Sequence, residues 1–301
     1  MSDRLLVLSW LWHQPEGRAL FKAEHVNIWA QMVRRHCTLE IELACVTDMP
    51  EGIDPSIRII EPPGFYDGLK TSRWKGGRPS CYRRLIMFSP EAEQLFGADR
   101  FVSMDLDCVI ASNIDHLWDR DEDLVLNGPS QVGSRFVYNG SMLLMDAGAR
   151  PNVYEEFTPE KAEVASRQYV GSDQAWLAYS LGQGEATWGI EDGVTRWGRD
   201  KGGALMFFPG HINPWNATAD PWVGEHYRLD GPSRCLILGE KKHLWDDVKE
   251  QIGHGPFDHV IALPRSARAW NGKLSEVADC LDHAKLIARM YGCQDPVICG
   301  A

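Results

Sequence analysis

The sequence predicts an α/β fold with a mainly parallel sheet flanked by helices. Apolar, strand-like segments alternate with segments of helical periodicity along most of the chain, which is typical of βαβ units. A turn cluster at residues 229–233 is followed by a fresh strand and helix pattern. We therefore expect a main domain over residues 1–230 and a small C-terminal α/β appendage over residues 231–301.

The individual elements follow from local patterns. Runs of apolar and β-branched residues predict the strands. These cover residues 5–10, 41–47, 57–60, a segment that begins at residue 100, and then 124–126, 136–145, 204–208, 235–238 and 260–263. Apolar residues at helical spacing predict the helices. These cover residues 23–36, 80–88, 173–181, 243–252 and 276–291. A loop rich in proline and glycine lies between the third strand and the second helix.

The composition indicates a globular protein. Its 301 residues, 44% hydrophobic and 24% charged, are enough to bury a full core. The formal net charge of −11 argues against an extended basic groove for nucleic acid. Eight scattered cysteines without a CxxC pair favour reduced thiols and a cytoplasmic protein over a disulfide framework or a zinc cage. The apolar run at residues 5–12 is too short for a membrane span, and no signal peptide is expected.

Two carboxylates follow the strand that begins at residue 100. Asp105 and Asp107 are two residues apart, so on an extended segment they share one face, roughly 6–7 Å apart. Hard oxygen ligands at this spacing suit Mg²⁺ or Mn²⁺, which take further ligands from water and from substrate phosphates. The alternative is a turn whose aspartates only cap the next segment. A metal site at this strand end is the hypothesis that the other motifs must support.

Three further segments come in a characteristic order after the Asp-Leu-Asp motif. They read Tyr138-Asn-Gly-Ser-Met-Leu-Leu, Gly171-Ser-Asp-Gln-Ala-Trp and Phe208-Pro-Gly-His-Ile-Asn-Pro-Trp. In order and spacing the four segments resemble the nucleotide-sugar-dependent glycosyltransferases of the GT-A fold, and among these the family 8 group of glycogenin and galactosyltransferase-like enzymes. The resemblance covers about residues 4–220 and implies a Rossmann-like sheet.

The resemblance implies metal-dependent transfer of a hexose from a nucleotide diphosphate sugar, taken here as a UDP-sugar, with retention of configuration. Asp105 and Asp107 would hold Mn²⁺ or Mg²⁺, and Asp105 would also reach the donor ribose. Asn139 would contact the donor, while Gly140 and Ser141 would let the backbone approach it. The alternative for Gly140 is a strand bulge that serves packing alone.

Asp173 and Gln174 match the pair that lies beside the transferred sugar in this family, and we assign them as catalytic. Asp173 also stands at a predicted helix start, so a simple N-terminal cap is the alternative. Ser9 and Trp10 end the first strand, where open α/β sheets bind ligands, and Trp10 is a candidate to stack on the base.

The last motif departs from the family pattern. The positions where a metal-binding histidine is usual hold Pro209 and Phe207, and the position of a phosphate-binding lysine holds Asn213. His211 is the candidate replacement ligand, since imidazole is an acceptable Mn²⁺ ligand. Gly210 and Trp215 complete the donor loop that the resemblance implies.

Arg84 is the candidate to compensate for the missing lysine as a positive partner of the donor diphosphate. Because Arg83 and Arg84 are adjacent in one predicted helix, we expect one of them to lie at the surface.

Other classes share parts of this pattern. The Asp105-Leu-Asp motif also fits phosphotransferases resembling the haloacid dehalogenases, in which the first carboxylate is a nucleophile. A nucleotidyltransferase, or a non-catalytic sugar-binding relative, is also compatible with it. For a transferase, the expected partners are a nucleotide-sugar donor and an acceptor that is a glycan, a lipid precursor, a protein, a small molecule or modified DNA. A homodimer is compatible with the appendage.

Overall fold

The computed structural model describes twelve stretches of the chain. They are residues 4–14, 20–66, 68–71, 81–128, 137–200, 202–209, 212–230, 235–240, 248, 257–270, 274–293 and 296–300. The chain divides into two compact units, Met1–His211 and Ile212–Ala301.

In its described residues the first unit contains ten strands and eight helical segments. Its strands are β1 Leu5–Leu11, β2 Ile41–Thr47, β3 Arg58–Ile60, β4 Arg100–Met104, β5 Cys108–Ile110, β6 Leu124–Asn127, β7 Asn139–Asp146, β8 Ala186–Trp188, β9 Val194–Arg196 and β10 Leu205–Phe207. Its α-helices are α1 Ala23–His36, α2 Ala92–Phe96, α3 Asp115–Trp118, α4 Asn152–Glu155, α5 Pro159–Gln168 and α6 Asp173–Leu181. Two 3-10 helices cover Tyr82–Phe88 and Ile190–Asp192.

Seven of these strands form one mixed, mainly parallel sheet, in the order β3-β2-β1-β4-β7-β6-β8. Only β7 runs antiparallel to its neighbours β4 and β6; the other described pairs of this sheet are parallel. The predicted α/β fold class is therefore confirmed. Strand β1 lies near the centre and is buried almost throughout, as expected for a parallel strand covered on both faces. A second sheet has the order β5-β10-β9.

Helix α1 forms where its apolar periodicity predicts. Val26, Trp29, Ala30 and Val33 are all fully buried, so the apolar face of the helix packs into the protein. Its last turn carries three basic residues, which complement the negative end of the helix dipole.

The segment Tyr82–Phe88 differs from the amphipathic α-helix predicted at residues 80–88. It is a 3-10 helix, and all seven of its residues are buried. Arg83 and Arg84 are therefore both buried, and the expectation that one of them lies at the surface was wrong. The Arg83 guanidinium lies 5.1 Å from the centroid of the Trp12 ring, a cation–π geometry that accommodates a buried arginine.

Aromatic packing fixes this 3-10 helix against two neighbouring helices. The Phe157 ring, between α4 and α5, lies 5.0 Å from Tyr82 and 5.3 Å from Trp176 in α6. The Trp176 indole N–H donates to the Val153 carbonyl at 2.7 Å. The start of α6 and the 3-10 helix are therefore held by one core cluster.

The second unit contains both helices and strands. Its described elements are a 3-10 helix at Pro214–Asn216, α7 Pro221–His226, β11 Cys235–Leu238, β12 His259–Ala262, α8 Pro264–Ala269, β13 Glu276–Val277, α9 Leu281–Met290 and β14 Val297–Cys299. The strands form a parallel sheet in the order β13-β12-β11-β14.

Two boundaries in this region differ from the expected ones. The second unit begins at Ile212, ahead of the predicted boundary at residue 230, because α7 packs against α9 and the Leu229 N–H donates to the Met290 carbonyl. The helix predicted at residues 276–291 begins at Leu281, since its first two residues form β13. The helix predicted at residues 243–252 lies outside the described residues, apart from Val248.

No helix in the described part of the chain is long and apolar enough to cross a membrane. All eight cysteines lie in described stretches and are free thiols.

Trp10 belongs to the core. It is 6% exposed, its ring edges contact Trp12 and Phe96, and its indole N–H donates to the Ser103 hydroxyl of β4 at 2.9 Å. This placement differs from the predicted role of stacking on a base.

Trp10→Phe should therefore destabilise the protein and leave nucleotide binding unchanged. The substitution leaves the buried Ser103 hydroxyl without its donor, which lowers the free energy of unfolding by about 1–3 kcal/mol. Urea unfolding measures the first effect, and titration with a nucleotide diphosphate measures the second. Weaker nucleotide binding at unchanged stability would instead place Trp10 in the ligand site.

Candidate functional site

The predicted motifs meet at one edge of the large sheet. Strands β1 and β4 are parallel, and β7 is antiparallel to β4, so the end of β4 and the start of β7 lie at the same edge. The contact is direct, because the Asp105 backbone N–H donates to the Ser141 carbonyl at 2.8 Å. The Asp-Leu-Asp and Asn-Gly-Ser segments are therefore neighbours.

Arg84 joins two of the predicted site carboxylates. Its Nε and Nη2 donate to Asp173 Oδ2 at 2.9 and 2.5 Å, and its Nη1 donates to Asp105 Oδ1. The exposed fractions are 6% for the Arg84 side chain, 9% for that of Asp173 and 29% for that of Asp105. One buried guanidinium thus holds carboxylates from two different elements.

The Arg84 guanidinium stays positively charged. Burial by itself lowers the pKa of Arg84, but the carboxylates of Asp105 and Asp173 outweigh that effect and hold the pKa well above its usual value. Arg84 was predicted to meet the donor diphosphate. Its observed partners are Asp105 and Asp173, and its contact with the donor stays a prediction.

Gly140 lies against this ion-pair group. A Cβ atom built on Gly140 would come within 3.1 Å of both Arg84 Nη2 and Asp173 Oδ2. A glycine at this position therefore lets β7 approach the ion pair.

The start of α6 is shaped by side-chain contacts. Ser172 precedes the helix, and its hydroxyl accepts from the Cys81 N–H at 3.1 Å and donates to Asp173 Oδ1 at 3.2 Å. Asp173 is the first residue of α6, Ser172 holds the N-cap position, and the Asp173 carboxylate pairs with Arg84. Gln174 donates from Nε2 to the Val170 carbonyl at 3.0 Å, which ties its amide to the preceding turn.

A hydrogen-bonded relay connects β6 to the start of β7. Asn127 Nδ2 donates to the Ser141 hydroxyl at 2.8 Å, and that hydroxyl donates to Asn139 Oδ1 at 2.8 Å. Asn139 Oδ1 also accepts from the Ser141 backbone N–H at 3.0 Å. Sequence reasoning missed Asn127; its only signal was a polar residue that ends the apolar run Leu-Val-Leu.

Asp107 lies between the two sheets. It is half-buried, and its carbonyl accepts from the Phe208 N–H at 2.8 Å. Burial, and then the charges of Asp107 and Asp105, raise the pKa of the adjacent Cys108 thiol well above its usual value, so this thiol stays protonated. The Phe208 ring stacks on Trp197 with 4.8 Å between centroids.

The candidate metal-binding side chains fit a divalent cation in ligand type and in charge. Asp105, Asp107, Asp173 and Arg84 carry a net charge of −2, from three carboxylates and one guanidinium. Two oxygen ligands plus water and phosphate oxygens match the habit of Mg²⁺ and Mn²⁺. Within the described ranges, no group of three or more His, Cys, Asp and Glu side chains converges. The predicted third ligand, His211, lies outside these ranges together with Gly210.

The remaining predicted residues are placed separately. Ser9 is fully buried beside the Cys45 thiol, whose pKa is raised to about 12 chiefly by burial. Trp215 lies in the second unit, in the 3-10 helix Pro214–Asn216, and is 9% exposed. Its predicted donor contact remains a prediction.

Comparison with known proteins finds similar solved structures only. No family model and no curated protein matches the chain. A galactosyltransferase, LgtC, solved with donor and acceptor sugar analogues, has 14% identity and a TM-score of 0.47 over 74% of this chain and 96% of its own. The glycosyltransferase GlyE of Streptococcus pneumoniae TIGR4 has 11% identity and a TM-score of 0.48 over 99% of this chain and 80% of its own. Similarity at this level does not decide what the chain does.

Arg84→Met should expose the repulsion that the guanidinium neutralises. Removing one partner of a buried ion pair lowers the free energy of unfolding by about 3 kcal/mol or more. Urea unfolding measures this loss of stability.

The matched control is Arg167→Met, which removes an exposed arginine of α5. It should change stability by less than about 0.5 kcal/mol. A loss of stability in Arg84→Met no larger than that in Arg167→Met would contradict the bridging role.

Gly140→Ala should disturb the same ion pair by steric means. The added methyl group requires Arg84 or Asp173 to move, which costs about 1–3 kcal/mol of stability. Gly64→Ala is the control, because nothing lies within 4 Å of a Cβ at that position. Thermal melting compares the two variants, and equal melting temperatures would show that β7 tolerates a side chain here.

Proposed function

We propose that this chain is a glycosyltransferase that moves a hexose from a nucleotide diphosphate sugar, a UDP-sugar, to an acceptor hydroxyl with retention of configuration. The observation that carries the proposal is the Arg84 bridge between Asp105 and Asp173. It joins the Asp-Leu-Asp motif to the Asp-Gln motif, and Gly140 of the Asn-Gly-Ser motif lies against it. The contact between three motifs that are far apart in the sequence supports the proposal.

The proposed reaction exchanges one bond at the anomeric carbon. The bond from this carbon to the diphosphate oxygen breaks, and a bond to the acceptor oxygen forms. The proton of the acceptor hydroxyl passes to the departing diphosphate. Negative charge builds on the diphosphate while the sugar becomes oxocarbenium-like, so the site must stabilise both changes.

Asp105 and Asp107 would hold the metal ion in this proposal. Mn²⁺ or Mg²⁺ would supply positive charge to the leaving diphosphate. Asp105 is fixed for this task because its backbone N–H bonds Ser141 and one carboxylate oxygen bonds Arg84.

Asp173 suits a positioning role better than a nucleophilic one. Two N–H groups of Arg84 bond its Oδ2, and the Ser172 hydroxyl bonds its Oδ1. A carboxylate with these donors is a weaker nucleophile, but it is held rigidly for hydrogen bonds to the hydroxyls of the donor sugar. The same reasoning disfavours Asp105 as the nucleophile of a phosphotransferase, since its carboxylate is paired with Arg84.

Asp107→Asn should abolish sugar transfer and metal-dependent donor binding together. The amide is neutral and is a poorer ligand for a hard cation. Thermal shift with a panel of UDP-hexoses, with and without Mn²⁺, measures binding, and release of UDP measures turnover. The wild-type protein should be stabilised by one donor only when Mn²⁺ is present.

Asp119→Asn, at an exposed carboxylate after α3, is the matched control and should retain both properties. Sugar transfer by Asp107→Asn at the wild-type rate would remove the carboxylate pair from the mechanism. A wild-type protein that no nucleotide sugar stabilises would contradict the proposed function.

A further inference from the structure

A pocket of about 260 Å³ adjoins the candidate site on two sides. It shares Asn139 with the donor segment. Phe207 also lines the pocket, and the backbone N–H of the next residue, Phe208, donates to the Asp107 carbonyl. Its other lining residues include Asn127, Trp188, Glu191 and Arg199. The pocket therefore lies beside Asn139, the proposed donor contact, and beside β10, which pairs with the strand that follows the proposed metal ligand Asp107. A second substrate in this pocket would be next to the donor.

The backbone of β7 is adapted to form this pocket. Leu126 pairs with Leu143, and regular antiparallel pairing would place Asn127 opposite Met142. The register shifts after Leu126, and Asn127 pairs with Asn139 instead. A bulge of this kind redirects side chains, and here it brings two amides together at the wall of the pocket.

Hydrogen bonds fix the orientation of both amides. The Ser141 backbone N–H can only donate, so the Asn139 atom that it contacts is the oxygen, and Nδ2 remains for a ligand. The Ser141 hydroxyl donates its single hydrogen to that oxygen, so it must accept from Asn127 Nδ2. Asn127 Oδ1 then remains for a ligand. The wall thus offers one acceptor and one donor side by side.

This pair matches the chemistry of a hydroxyl group. A hydroxyl donates to Asn127 Oδ1 and accepts from Asn139 Nδ2, whereas a carboxylate only accepts and an ammonium group only donates. The charged lining residues Glu191, Arg196, Arg199 and Asp200 sum to zero, so the pocket does not select an anion by net charge. Its volume of about 260 Å³ is slightly below the roughly 300–1,000 Å³ typical of sites for drug-sized ligands, which suits one sugar ring.

We propose that this pocket is the acceptor subsite, that it takes the terminal sugar of a saccharide, and that Asn127 is a specificity-determining residue that reads one of its hydroxyls. This inference rests on the proposed function, which supplies the reaction. The recognition of a hydroxyl group is argued separately, from the hydrogen bonds of the Asn127–Ser141–Asn139 relay.

Binding of simple glycosides tests the subsite apart from catalysis. The probes are the methyl α- and β-glycosides of D-glucose and D-galactose, maltose and lactose, detected by saturation-transfer NMR with UDP and Mn²⁺ present. At least one should bind the wild-type protein. Asn127→Ala should weaken its affinity by about tenfold or more, the effect of removing a partner from a hydrogen-bonding site.

Asn152→Ala is the matched control, because this amide also donates to a serine hydroxyl, that of Ser180, but does not line the pocket. It should leave glycoside binding unchanged. Arg199→Ala is a second pocket variant at an exposed position, and it should weaken binding even if Asn127→Ala fails to fold.

UDP affinity in the presence of Mn²⁺ separates the two proposals. If the wild-type protein does not bind UDP in the presence of Mn²⁺, the proposed function is contradicted. Glycoside binding would then still test whether the pocket takes a sugar. UDP binding without any glycoside binding would overturn the acceptor subsite. Equal glycoside affinity in Asn127→Ala and Asn152→Ala would also overturn it.

Discussion

The site depends on one buried positive charge between two carboxylates. Asp105 follows a strand and Asp173 begins a helix, and at close range in a largely dehydrated setting their charges repel. Arg84 removes that repulsion and fixes both side chains by directed hydrogen bonds. Because every residue of Tyr82–Phe88 is buried, the guanidinium is held in place by the core and not by a flexible loop. The geometry of the carboxylates therefore depends on the packing of this short helix.

The sheet topology determines which residues can join this ion pair. Strand β7 is the only described antiparallel strand of the large sheet, so its first residues lie at the edge where β4 ends. That reversal places Gly140 against Arg84 and brings Ser141 to the Asp105 backbone. The register shift between β6 and β7 adds Asn127 to the same edge. One reversed strand thus connects the carboxylate site to the neighbouring pocket.

Sequence patterns predicted what local periodicity and strand burial control. Helix α1 and the strands around it follow directly from apolar spacing, and the motif residues Asp105 and Asp173 lie at element ends as expected. Asn139, which was expected inside a strand over residues 136–145, is the first residue of β7. Sequence patterns did not predict the features that tertiary contacts determine. Arg83 is buried because Trp12 covers it, and the spacing of residues along the chain does not predict this contact. Asn127 reaches the site only through a register shift, and β13 replaces a helical turn because it pairs with β12.

The ion pairs of Arg84 with Asp105 and Asp173 affect how the donor can bind. If Arg84 faced the diphosphate, positive charge from the protein would partly neutralise the leaving group and a metal ion would matter less. In the structure that charge is already balanced by Asp105 and Asp173. Among Asp105, Asp107, Asp173 and Arg84 the excess charge is negative, and it would repel a diphosphate that arrived alone. We therefore infer that donor and cation bind together, because a divalent cation would cancel this net charge of −2 and so remove the repulsion that a diphosphate would otherwise meet at Asp105 and Asp107.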